Sequence, residues 1–101
     1  MEKTKNDRRG ALRHDVRTRI GLRLKGRGAY ENAHLMNLGR DGLYIMARRK
    51  MSVGARIEIR IPAESPAEDD IHIQAEVIRV GNHRYWGLFS YGCRVTAFPF
   101  A

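Results

Sequence analysis

Two short stretches of this sequence carry side chains suited to gripping an anion or the edge of a base. The first is Arg9-Gly10-Ala11-Leu12-Arg13, with Arg8 immediately before it. A guanidinium presents a rigid fork of donors that matches two phosphate oxygens or the O6/N7 edge of guanine, which the point charge of lysine cannot imitate. The second is Asn37-Leu38-Gly39-Arg40-Asp41-Gly42. Asn37 can offer its amide to a base edge or cap a turn, while Gly39 and Gly42 allow close backbone approach or a positive φ. Taken singly, the first stretch also reads as a solvated basic extension, and the second as a plain strand-connecting turn.

Catalytic chemistry has no comparable foothold. A nucleophile, a base and an orienting group would have to converge, and no local signature assembles them. Cys93 stands beside Val95 in an apparent strand and reads as a small buried hydrophobe rather than a reactive thiol. His14, His34, His72 and His83 are scattered singly, without metal-ligand spacing. Glu68-Asp69-Asp70 reads as a solvated acidic cap on a loop rather than a cation site, and Trp86 as a core residue of a short strand rather than a stacking platform for a base. The expectation is a protein that is not an enzyme and holds no metal.

The elements that must position the arginines and the turn are strands. Val16, Thr18, Ile20, Leu22 and Leu24 alternate with Arg17, Arg19, Gly21, Arg23 and Lys25, the period of a half-buried strand. Gly26-Arg27-Gly28 supplies turn chemistry, and a second extended segment runs from about residue 29 to Leu38. Leu43 to Ala47 resumes as a strand, and Arg48 to Gly54 is a polar connection. Arg56-Ile57-Glu58-Ile59-Arg60-Ile61 alternates strictly and stops at Pro62. The alternation returns from Ile71 and changes face near Ile78, which predicts a bulge. Gly81-Asn82 reads as a turn, followed by extended segments Tyr85 to Ser90 and Tyr91 to Phe98. About six or seven short strands joined by Gly-containing turns, with no helical period, predict an all-β chain: a small antiparallel barrel or sandwich.

Length and charge set the frame. A chain of 101 residues has room for one compact domain, expected over residues 13–101, with residues 1–12 a flexible basic tail. Lys and Arg number 19 against 11 Asp and Glu, a formal charge of +8, so anionic partners are favoured. No apolar run approaches the roughly 20 residues needed to span a bilayer, and no signal-peptide pattern follows the basic N-terminus. A single cysteine rules out an internal disulfide. A cytoplasmic location is expected.

Together the arginine pair and the glycine turn resemble the PilZ domain family, whose pattern is Arg-x-x-x-Arg followed further along by Asp/Asn-x-Ser-x-x-Gly. Gly42-Leu43-Tyr44-Ile45, Val53-Gly54, Glu76-Val77-Ile78-Arg79-Val80 and Gly92-Cys93-Arg94-Val95 extend the similarity over nearly the whole chain. Arg13-His14-Asp15-Val16-Arg17 satisfies the arginine spacing as well; the earlier register is preferred because Val16 then falls where that family's first strand begins. The resemblance implies a small six-stranded antiparallel β-barrel, split and Greek-key-like, that binds the bacterial second messenger cyclic di-GMP. It implies that Arg9 and Arg13 clamp guanine edges and phosphates, that Asn37 hydrogen-bonds a guanine, and that Gly42 permits the turn. Arg8 implies an intercalated pair of ligand molecules. Gly39 departs from the family's usual Ser and removes one hydroxyl from the site.

The function expected is therefore signal transduction by a receptor that changes its contact with a downstream protein when the dinucleotide binds. Two alternatives stand beside it. One is a PilZ-like interaction module that does not bind the nucleotide; the other is a small basic barrel binding RNA or DNA, against which the aromatics do not interleave with the basic strand.

Overall fold

The computed structural model describes residues 13–40 and 42–97, with the backbone alone described for 13–17 and 83–85. Six strands make up the fold: β1 (Arg13–Leu24), β2 (Glu31–Gly39), β3 (Gly42–Ala47), β4 (Arg56–Ile61), β5 (Ile71–Tyr85) and β6 (Leu88–Ala97). They close into an antiparallel barrel in the order β1-β2-β3-β6-β5-β4. The described residues contain no helix. Closure is short: β1 meets β4 from Gly21–Leu24 against Arg60–Ile57, whereas its first half pairs with β2 alone.

Side-chain alternation builds the interior. Ile20 and Leu22 of β1, Leu35 of β2, Ile45 of β3, Ile57 and Ile59 of β4, and Ile73 and Val77 of β5 are all buried in one apolar cluster. The β-branched isoleucines and Val77 among them suit a pleated, half-buried wall. Tyr91 of β6 is the largest fully buried side chain. Its hydroxyl donates to the Arg49 carbonyl at 2.8 Å and accepts from the Met51 amide at 2.9 Å, which ties the β3–β4 connection to the barrel.

The outer face is held by ionic and ring contacts. Arg23 Nε donates to the buried Glu58 carboxylate at 2.6 Å, and this hydrogen bond raises the guanidinium's pKa further. Arg23 and Arg60 lie 4.5 and 4.8 Å from the ring centroid of Tyr30, which packs against Gly21. Asp70 accepts from the Ala63 amide at 2.9 Å and closes the β4–β5 loop, so the acidic cluster caps that loop in exposed positions.

Cys93 is buried, and burial pushes its thiol up to about 12. Thiol reagents are therefore expected to react with native protein only after unfolding, a difference visible when labelling with and without denaturant is timed. The same burial has a pH consequence. The unfolded thiol ionises near its ordinary value of 9.0, whereas the folded one stays neutral until about 12. Stability should fall as pH rises across that window, by up to about 1.4 kcal/mol per pH unit from this group, and Cys93→Ala should flatten the slope.

Four details depart from the sequence reading. β1 starts at Arg13 rather than Val16, because a register shift between Asp15 and Thr18 interrupts the alternation while pairing continues. Gly81-Asn82 is not a turn. β5 runs through it to Tyr85, and the chain reverses at Trp86-Gly87 with φ of 53° and 78°. The two closing segments are consequently one strand, Leu88–Ala97. Trp86 is not in the core: it is 83% exposed at the tip of that turn. The bulge near Ile78 is present, as a register shift between Val77 and Arg79.

A candidate ligand cleft on the barrel wall

The antiparallel register aligns residues that lie far apart in sequence. Asn37 pairs with Tyr44, Tyr44 with Gly92, and Gly92 with Arg79, so one row crosses β2, β3, β6 and β5. Directly opposed residues in antiparallel strands share a face. This face is the outer one, since the adjacent Leu43 and Cys93 belong to the interior cluster. An open cleft of about 290 Å³ lies along the row, lined also by Gly39, Arg40, Gly42 and Ile78.

Glycines shape the cleft. A Cβ on Gly42 would stand 2.9 Å from the Cys93 carbonyl oxygen, nearer than side-chain atoms come to backbone. Gly42 lies in β3 and is needed for close approach to β6. Gly92 has Arg79 across it, with the guanidinium Nη2 3.5 Å from where a Cβ would be. The floor between Tyr44 and Arg79 is therefore bare backbone.

Charge at the cleft is positive. Among the described residues no carboxylate pairs with Arg40 or Arg79, whereas Arg94, one register step away, is bound to Glu76 at 2.6 Å. At the start of β1, Arg13 pairs with Gly39 and His14 with Leu38. The backbone of Arg13 thus sits beside the glycine turn. A polar, cationic groove with an amide, a phenol and a backbone strip can bind an anion carrying flat rings. The described residues include no group of three or more His, Cys, Asp or Glu able to hold a metal ion.

Of the residues singled out from the sequence, Asn37, Gly39 and Gly42 come together here and the backbone of Arg13 adjoins them. Arg8 and Arg9 lie outside the described residues. Sequence reasoning missed Arg40, Tyr44 and Arg79. Arg40 lies inside the turn motif and could have been nominated. Arg79 could not: the Val77/Arg79 register shift places it opposite Gly92, and that pairing is not written in local sequence.

No protein-family model matches the chain. No curated protein matches it either. Among solved structures, the barrel is similar to Bacillus subtilis inhibitor of motility (MotI/DgrA), with a TM-score of 0.63 and 16% identity over 87% of this chain and 42% of that one. The likeness is one of fold, and the chain spans less than half the length of that protein. No helix among the described residues is long and apolar enough to cross a membrane.

Proposed function

We propose that the chain is a non-enzymatic bacterial receptor for cyclic di-GMP, and that the cleft on β2, β3, β5 and β6 seats the dinucleotide. The observation that carries this reading is the pairing of Arg13 with Gly39, which sets the second arginine of one PilZ-like motif beside the serine position of the other. Asn37 would meet a guanine edge, and Arg40 and Arg79 would add charge-assisted contacts to the phosphates. Four residues of chain reach at most about 14 Å, a span that would let Arg9 join the same cleft. Ligand would draw Arg8 and Arg9 over the cleft, changing the surface offered to a downstream protein in the cytoplasm. That the fold neighbour is an inhibitor of motility is in keeping with regulation through a protein partner.

Calorimetric titration tests the reading, with GTP and a short RNA as controls. Cyclic di-GMP should bind with two molecules per chain, and Arg8→Ala should reduce this to one. Arg13→Ala should weaken binding by about tenfold to a hundredfold, the value of one charge-assisted hydrogen bond. Gly39→Ser, which restores the hydroxyl usual in PilZ sequences, should tighten it by up to about tenfold. Equal affinity of wild type and Arg13→Ala for cyclic di-GMP would remove the site assignment.

A further inference from the structure

A second concavity, of about 630 Å³, opens on the outer face where Arg19, Asn32, His34 and Arg48 meet Trp86 and Leu88 of the β5–β6 turn. It shares no residue with the ligand cleft. We infer that it binds single-stranded nucleic acid, with a base stacked on Trp86 and the flanking phosphates on Arg19 and Arg48.

Topology makes the arrangement. Arg19 of β1 stands opposite His34 of β2, and Asn32 lies two residues along β2 on the same face. Trp86 arrives from the other end of the chain. It is 83% exposed and has a φ of 53°, a conformation that the other turns give to Gly26, Gly28 and Gly54. A bulky residue held in the left-handed region at a hairpin tip, with its ring in water, runs against both local sterics and the drive to bury an indole. Such outliers are retained where the side chain has work at that place.

The charge around it suits a phosphate backbone. Arg19 and Arg48 are exposed, and among the described residues no carboxylate pairs with either. The one acid at the edge, Glu31, is already bound by Arg49 through Nε at 3.0 Å. Asn32 and His34 add donors and acceptors for base edges. A basic groove with an exposed aromatic is the general arrangement of sequence-tolerant single-strand binding. An acidic polypeptide would also answer the two guanidiniums, but it lacks the flat partner that every base supplies to the indole.

Trp86 is the only tryptophan of the chain, so its fluorescence reports on this place alone. Titrating the full chain with an oligothymidylate of about 15 nucleotides should quench that fluorescence saturably. Arg19→Ala should lower the slope of log affinity against log salt by about 0.7, one phosphate's share. With a fluorescein-labelled oligonucleotide read by anisotropy, Trp86→Ala should bind about tenfold or more weakly while Trp86→Phe keeps most of the affinity. That contrast separates stacking from a damaged fold. Asn37→Ala, in the other cleft, should leave the titration unchanged. The inference is overturned if the oligonucleotide gives no quenching, if polyglutamate quenches equally, if duplex DNA binds as tightly, or if Asn37→Ala abolishes the signal.

Discussion

Tyr91→Ala is expected to lose about 3–5 kcal/mol of folding stability, a large part of the roughly 5–15 kcal/mol that holds a domain of this size together. The ring is fully buried in the apolar cluster, and its removal leaves a cavity among side chains fixed to the strands of a closed barrel, which collapse only in part to fill it. The hydroxyl adds a second loss. It accepts from Met51 N–H and donates to the Arg49 carbonyl, so its removal orphans two backbone groups of the β3–β4 connection. Tyr91→Phe isolates that second term, expected at about 1–3 kcal/mol. Urea denaturation of the three proteins measures both, and a Phe variant as stable as wild type would show that the connection is held by other means.

Gly42→Ala should be destabilising by about 1–3 kcal/mol and should also weaken the ligand cleft, because both effects have one origin. The new Cβ would press on the Cys93 carbonyl, an atom of a strand bonded on both sides, so β3 and β6 must part. Gly42 and Cys93 both line the cleft, which would widen with them. Gly42→Asn distinguishes the physical reasons a glycine can be required. Asn tolerates a positive φ, so it would substitute well if conformation were the need; close approach makes it at least as damaging as Ala. Denaturation midpoints and cyclic di-GMP titrations on both variants decide the matter.

Much of the barrel was legible because most strands are buried on one face only. β4 was read to the residue, since its alternation is strict and Pro62 ends it. Illegible stretches share a cause: register shifts, which break the period without ending the pairing. Arg13 to Asp15 does not read as strand because the shift before Thr18 hides that His14 and Asp15 pair with Leu38 and Asn37. Gly81 looks like a turn residue, but any side chain there would strike the buried Ser90 of β6, so its smallness serves the packing of β5 against β6. Trp86 was misplaced for a related reason. Hydrophobicity argues for the core, and only knowing where the hairpin reverses shows that its tip stands in water.

The site was legible in part for a similar reason. Asn37 and Gly39 end β2 and Gly42 begins β3, so they travel together in any fold and local sequence identifies them. Arg79 and Tyr44 join them through pairings across four strands, which belong to topology.

The barrel is shut by its shortest ladder, Gly21–Leu24 against Arg60–Ile57, clasped outside by Arg23, Glu58 and the ring of Tyr30. Parting the molecule along this seam breaks fewer backbone bonds than parting it anywhere else, so partial opening should begin there. The strands that carry the cleft, β2, β3, β6 and β5, remain zipped to one another in such an opened form. The fold can therefore breathe at its back while its front keeps a fixed grip.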